Sequence, residues 1–308
     1  MVLSSNLVLE PAKYVKREQQ AAISLDHLFL SYPVAGEGEK VILCDINLQI
    51  EAGEFVVVLG QTGCGKSTLL RLILGQERPT QGQVSVNGRV VNRIDSSCAY
   101  VPQRYSLFPD RTVLENLTLG PEMSQFHLWE KCTPRFYAYR RKWRTEALEQ
   151  LFKMGLQSSD SGKYPHQLSG GMQQRVAIAQ ALMMQPSVLL MDEAFSALDP
   201  ATRSTLQRLL REVWSERKPT ILFVTHNTAE ALVLGTRLIV LGHSKNSNQH
   251  GSKIVLDMKI PFSNDPISQR GQGKEFMDLL EYVERHSRGH FEDRDELSGE
   301  NAHEITTD

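Results

Sequence analysis

The sequence contains no apolar run near the ~20 residues that a bilayer-spanning helix needs. Its longest candidates, around Phe55–Gly60, Val188–Met191 and Ile221–Val224, have the length of buried strands. No secretory signal is visible: MVLSSNLVLEPAKYVKREQQ has no basic start followed by an apolar core and a small-residue cleavage site. Cysteines are few, and Cys44, Cys64, Cys98 and Cys132 form neither a CxxC pair nor a zinc-like cluster with histidines. Neither sign of charge dominates, since 34 Lys and Arg stand against 36 Asp and Glu, a net charge of −2. These absences argue in turn against a membrane span, a disulfide scaffold of an exported protein and a generally basic nucleic-acid binder. They point to a cytoplasmic chain. What is present is a 308-residue chain, 41% hydrophobic and 23% charged, with enough apolar content to bury a sizeable core.

Residues 1–21 read as a polar lead-in. Strand-like runs follow, ISLDHLFLSY and then VILCDINLQI, with a break at Ala52-Gly53-Glu54. FVVVLG is continuously apolar, as expected of a strand covered on both faces. A glycine-rich turn leads into a helical stretch, STLLRLILG, which Gly75 ends, and Asn87-Gly88 between β-formers signals a hairpin. The middle of the chain, about 116–186, reads as helical and carries the cluster KCTPRFYAYRRKWR. Helices over Met172–Gln185, Thr202–Glu216 and Thr228–Leu234 then alternate with the strands VLLM, ILFV and RLIVL. That alternation is the sequence form of right-handed crossovers in a parallel sheet. A polar loop, SKNSNQHGS, precedes a strand in IVLDMKI and a short helix over Glu275–Arg285. From His286 to Asp308 the chain is acid-rich and reads as disordered. No internal repeat is visible.

Three short motifs carry chemistry. Gly60-Gln61-Thr62-Gly63-Cys64-Gly65-Lys66-Ser67 fits G-x-x-x-x-G-K-[ST], followed by Thr68. Glycines let such a loop turn its N–H groups onto phosphate oxygens, Lys66 brings a cation to the β and γ phosphates, and the Ser67 hydroxyl suits Mg²⁺. A helix beginning at about Lys66 adds the positive end of its dipole. In the second motif the strand Val188-Leu189-Leu190-Met191 delivers Asp192 and Glu193 at the carboxyl edge of a sheet, where ligands of α/β proteins bind. Alone, this reads as a strand followed by a solvated acidic turn; beside the phosphate loop it reads as part of a nucleotide site. The third, Leu168-Ser169-Gly170-Gly171-Met172-Gln173-Gln174-Arg175, puts a good N-cap and two glycines at a helix start. Alone, it reads as a well-capped core helix.

LSGGMQQR, about 100 residues after the phosphate loop and 23 before Asp192, resembles the signature of ATP-binding cassette (ABC) ATPases. The other pieces of that family's pattern follow in order over residues 22–260. Tyr32 stands where the family stacks an aromatic ring on adenine, with Phe29 as the competing candidate. Gln103 in YVPQ resembles the Q-loop glutamine, Ser196-Ala197-Leu198-Asp199 the D-loop, and His226 in FVTH the switch histidine; alone, a histidine after an apolar strand is more often structural. The resemblance implies an α/β P-loop NTPase fold with a mixed or parallel sheet core, an antiparallel β subdomain and an α-helical signature subdomain. It implies ATP and Mg²⁺ as cofactors, with Ser67, Gln103 and Asp192 toward the metal. Gly60, Gln61, Thr62, Gly63, Cys64, Gly65, Lys66, Ser67 and Thr68 would hold the phosphates, and Glu193, His226, Lys66 and Gln103 would carry hydrolysis. Ser169, Gly170 and Gly171 would close on the nucleotide of a second ATPase subunit in a head-to-tail dimer.

Within the family, a chain with no span of its own implies separate permease subunits and a place at the cytoplasmic face of the membrane. DEAFSALDP and KIVLDMKIP look like the nitrate/sulfonate/taurine group of importers, which also use a solute-binding protein. A glycine-betaine-type importer is the nearer alternative, weakened by the lack of an evident CBS pair. A soluble, non-transport ABC ATPase is the further one, though neither a second cassette nor a coiled-coil insertion is visible. Residues 261–285 read as a short helical extension and 286–308 as an acidic tail. In the middle segment, Lys131, Arg135, Arg140, Arg141, Lys142 and Arg144 interleave with Trp129, Phe136, Tyr137, Tyr139 and Trp143. The segment reads as a solvated helix face over aromatic packing, as a contact for the membrane subunit or anionic headgroups, or as a nucleic-acid patch. No nucleic-acid partner is expected from the chain as a whole. Cys64 reads as inert packing.

Overall fold

The computed structural model describes residues 21–34, 38–95, 97–104, 106–126, 133–196, 198–243, 251–263, 271 and 273–287. Residues 1–20 of the lead-in, Trp129, Lys131, Cys132, most of the polar loop and residues 288–308 of the tail lie outside them. In chain order the elements are β1 (Ala21–Val34), β2 (Gly38–Glu51), β3 (Phe55–Gly60), α1 (Lys66–Leu74), β4 (Gln81–Val86), β5 (Arg89–Val90) and β6 (Cys98–Val101). Then come α2 (Val113–Gln125), α3 (Pro134–Lys153), α4 (Gly170–Met183), β7 (Val188–Asp192), α5 (Pro200–Arg217) and β8 (Thr220–Thr225). The last are α6 (Thr228–Leu234), β9 (Arg237–His243), β10 (Ser252–Lys259) and α7 (Lys274–Ser287).

All ten strands form one sheet in the order β5-β4-β1-β2-β10-β9-β3-β8-β7-β6. Its first half is antiparallel, through β1 with β2, β1 with β4 and β4 with β5. The hairpin at Asn87-Gly88 has both residues in the left-handed region, φ 49° and 72°, as a type I′ turn requires. Its second half, β9-β3-β8-β7-β6, is parallel throughout. β10 joins the halves: it runs antiparallel to β9 and meets β2 at a single parallel pair, Ser252 with Leu43. β6 is the strand that periodicity does not reveal, because four residues between polar flanks show no sustained pattern.

β3 lies inside the parallel half and all six of its residues are buried. Phe55, Val57 and Leu59 point into one core with Phe195, Phe223 and Leu206, while Val56 and Val58 join Leu69, Leu70 and Ile73 of α1 on the other side. A strand clothed on both faces must be apolar at every position, which accounts for FVVVLG.

Among the described residues, three α-helices lie between β6 and β7. α2 starts with a reciprocal cap, in which the Thr112 hydroxyl accepts from the Glu115 N–H and the Glu115 carboxylate accepts from the Thr112 N–H. α3 begins with Pro134 after the Thr133 cap. Phe126, Phe136 and Trp143 are buried together with Tyr139 against them, the Phe126 ring edge-on to the other three at 5.4–5.8 Å. Arg135, Arg140, Arg141, Lys142 and Arg144 face outward, with Tyr137 60% exposed. The described part of the segment is a basic outer face over buried aromatic packing.

Asn116 ties this region to the loop after β6. It is wholly buried, its Oδ1 accepts from the Phe108 N–H at 2.8 Å, and its Nδ2 donates toward the carbonyls of Phe108, Arg111 and Thr112 at 3.0–3.1 Å. Asn116→Ala strands these loop groups without water. It should lower unfolding stability by about 2–4 kcal/mol in denaturant titration, and a loss under about 0.5 kcal/mol would contradict the assignment.

Candidate functional site

Strand register assembles the site. β3, β8, β7 and β6 are parallel neighbours, so their carboxyl ends reach one edge of the sheet. Leu59 is level with Thr225, Asp192 with Val224, and Val101 with Met191. Residues just beyond those pairs therefore arrive side by side: Gly60 with the phosphate-type loop, His226, the Asp192-Glu193 pair and Gln103. At ~4.8 Å between strands, four motifs scattered over the sequence are brought within reach of one small ligand.

The loop from Gly60 to Ser67 connects β3 to α1. Gln61, Thr62, Gly63 and Ser67 are exposed, whereas Cys64, Gly65 and Lys66 are buried. Gly60 can be nothing larger, since a Cβ there would lie 2.6 Å from Cys64 Sγ and 2.7 Å from the Leu241 carbonyl. Gly65 caps α1 in the left-handed region, φ 94°, without a side-chain hydrogen bond, so the first-turn N–H groups of a nine-residue helix carry no capping side chain. An anion is the natural complement of such a terminus. Lys66, only 5% exposed, donates from Nζ to the carbonyls of Gly60 and Gln61 at 2.8 and 2.9 Å, which centres the ammonium over the loop. Thr68 accepts a hydrogen bond from Arg71 at 3.2 Å, and Arg71 pairs with Glu77 at 3.2 Å. Glu77 accepts the Tyr32 hydroxyl at 2.6 Å. Tyr32 is thus anchored to the loop's own helix with its ring 38% exposed, while Phe29 is half-buried in β1.

Glu193 is the hub. Gln103 Nε2 donates to its Oε2 at 3.2 Å, His226 Nδ1 lies 3.2 Å from the same oxygen, and Lys66 Nζ is 3.9 Å from Oε1. Its backbone is left-handed, φ 44°, and its N–H donates to the Val224 carbonyl at 3.0 Å. Asp192 is 6% exposed; its Oδ2 accepts from the Tyr100 hydroxyl at 3.3 Å, and its Oδ1 is buried with no hydrogen-bond partner among the described residues. A buried carboxylate oxygen without a donor is a place for a cation or water. Burial and the Asp192 charge push the Tyr100 hydroxyl up to about 12, so it remains a donor. Tyr100 escapes sequence reasoning because nothing in CAYV hints at the carboxylate that the β6–β7 register sets beside it.

Ser169, Gly170 and Gly171 belong elsewhere. The Ser169 hydroxyl accepts from the Met172 N–H at 3.3 Å and caps α4. A Cβ on Gly171 would fall 2.8 Å from Thr202 Cγ2, so glycine is what lets this end pack on the start of α5. Among the described residues no hydrogen bond or ion pair links Ser169 to the Gly60–Ser67 loop. One chain therefore gathers Lys66, Gln103, Asp192, Glu193 and His226, while the Ser169 hydroxyl is engaged as the cap of α4.

Comparison with known proteins bears on the family and the fold. A family model described as "ABC transporter" matches residues 43–196. The chain is 36% identical to the bicarbonate transport ATP-binding protein CmpD of Synechocystis sp., over 85% of this chain and 86% of that protein. It is 35% identical to the aliphatic sulfonates import ATP-binding protein SsuB of Bacillus cereus, over 80% of this chain and 90% of that one. Its fold superposes with a TM-score of 0.64 and 31% identity on an ATP-binding cassette solved as a dimer in a post-hydrolysis state with ADP and Pi, covering 77% of this chain and 98% of that one.

Cys64 supplies a test of the loop's packing. It is 2% exposed, and burial raises its thiol above the usual range despite the nearby Lys66 charge. Less thiolate at pH 8 and no access mean that a maleimide should label Cys64 at least ~10-fold more slowly in the folded chain than in denaturant. Equal rates, read by peptide mass mapping, would contradict the packed loop.

Proposed function

The chain belongs to the ABC transporter family, and from that premise we propose that it is the ATP-hydrolysing subunit of a membrane transporter that imports a small anionic solute. The observation that carries the proposal is the gathering of Lys66, Gln103 and His226 around Glu193 beside a phosphate-type loop. Relatives named for bicarbonate and aliphatic sulfonates support the solute class. Residues 22–260 form the ATPase unit, with about 116–186 as its helical part, and 261–285 extend it.

The triphosphate lies along Gly60–Ser67, with the first N–H groups of α1 and the Lys66 ammonium on its oxygens and the Tyr32 ring against adenine. Mg²⁺ fits the residues present: the unpartnered Asp192 Oδ1, the exposed Ser67 hydroxyl and the Gln103 amide oxygen would hold it as hard oxygen donors. When bound, the ion neutralises charge on the β and γ phosphate oxygens. Glu193 takes the proton of the attacking water, and Gln103 and His226 keep its carboxylate aimed at that water. Lys66 and the loop amides stabilise charge spreading over the transferred phosphoryl group. Ser169, Gly170 and Gly171 of a second copy complete the site from the far side in a head-to-tail dimer. No helix among the described residues is long and apolar enough to cross a membrane. Separate permease subunits therefore supply the path, a solute-binding protein supplies the solute, and this chain sits at the cytoplasmic face.

Two substitutions test the roles. Glu193→Gln should keep ATP affinity within about 3-fold and lower kcat by at least ~100-fold, because it removes the base. Substantial turnover in that variant would take Glu193 out of its role. Lys66→Ala should weaken ATP binding by about 10–100-fold in equilibrium titration, the worth of a lost charged hydrogen bond, and unchanged affinity would contradict the phosphate assignment.

A further inference from the structure

Glu230 is a buried carboxylate that the mechanism above does not use. It sits in the first turn of α6, 7% exposed and four residues after His226. Its Oε2 accepts the Thr225 hydroxyl at 2.6 Å and its Oε1 accepts from Gln207 Nε2 at 3.1 Å. The Thr225 oxygen accepts in turn from the Asn227 N–H at 3.1 Å, and the Asn227 side chain accepts from the Glu230 N–H at 3.0 Å. The Glu230 carboxylate thus holds Thr225 directly and Asn227 through the Thr225 oxygen, while the Asn227 side chain separately accepts from the Glu230 backbone. Gln207 carries the connection into α5, where Arg203 donates to the Leu198 carbonyl at 3.0 Å.

Burial raises the Glu230 carboxyl above its usual range, opposed by its bonds to Thr225 and Gln207 and by the charges of Arg203 and His226. An apolar side chain would fill the corner without that cost. It would also leave the Thr225 hydroxyl and the Gln207 amide unpaired and the β8–α6 corner free to move. Two acceptors on one rigid plane are what the corner uses.

From this geometry we infer that Glu230 is a positioning residue for hydrolysis. By fixing Thr225 and Asn227 it holds the His226 ring 3.2 Å from the Glu193 carboxylate, and through Gln207 it ties that setting to α5. The inference rests on the hydrolysis reading above.

The test compares ATP affinity and kcat of Glu230→Ala in the wild-type and His226→Ala backgrounds. In the wild-type background kcat should fall about 10–100-fold with affinity within about 3-fold, the signature of misplaced catalytic groups. In the His226→Ala background the same substitution should add less than about 2-fold, because Glu230 acts through that ring. Glu230→Gln should recover most of kcat: its carbonyl accepts from Thr225, and its amide donates to Gln207 once that side chain turns over. Thr225→Val deletes the 2.6 Å bond in place and should reproduce the loss; it carries the test if Glu230→Ala does not fold. Wild-type kcat in Glu230→Ala or Thr225→Val, or a full further loss in the His226→Ala background, overturns the inference. A wild-type chain with no turnover at all removes the hydrolysis reading and this inference together, a result that none of the variant comparisons can mimic.

Discussion

Everything at the site depends on the backbone turn that Glu193 makes as β7 ends. In a continuing strand Glu193 would simply alternate to the face opposite Asp192. Instead it takes a left-handed conformation, φ 44°, which costs a non-glycine residue about 1–3 kcal/mol. The surroundings hold it there, because the Asp192–Val224 pairing and the Glu193 N–H bond to the Val224 carbonyl leave the chain no other exit. The reward is geometric: one carboxylate meets a residue of the loop after β3, one of the segment after β6 and one at the end of β8. A straight strand end could not serve all three.

The same economy explains the rest of the architecture. Parallel pairing brings β3, β6, β7 and β8 to one edge, while Ser169 is engaged as the cap of α4. Hydrogen bonds close the gaps that apolar packing leaves between these parts. Asn116 fastens the loop after β6 to α2, Tyr100 donates to Asp192, and Glu230 fastens the switch corner to α5. Asn116 and Glu230 are buried and Tyr100 is half-buried, and bonds of this kind make the corners they occupy costly to distort.

The chemistry-bearing motifs were legible in the sequence because phosphate binding requires contiguous residues: a glycine loop, a lysine, a hydroxyl and a helix start in one stretch. The strands FVVVLG, VLLM and ILFV were legible because burial on both faces demands uninterrupted apolar residues. Helix ends were less so. α5 begins at Pro200, ahead of the Thr202 expected from periodicity, because Asp199 caps it and proline suits its first turn. α4 starts after the Ser169 cap that the motif signals, but it ends at Met183, short of the expected Gln185, which is left-handed. β6, the link from β10 to β2, the Tyr100–Asp192 bond and the Gln207–Glu230 bond depend on how distant segments are set beside each other. No local pattern encodes that placement.

One chain holds the groups around Glu193, and the proposed function has the Ser169 helix start of a second chain complete the site. Sedimentation velocity of the hydrolysis-blocked Glu193→Gln chain with Mg²⁺ and ATP measures this directly. The account predicts a monomer without nucleotide, a dimer with it, and a monomer again when Ser169→Arg is added. A Glu193→Gln chain that binds ATP and remains monomeric at concentrations well above its nucleotide affinity, or a dimer indifferent to Ser169→Arg, would contradict it.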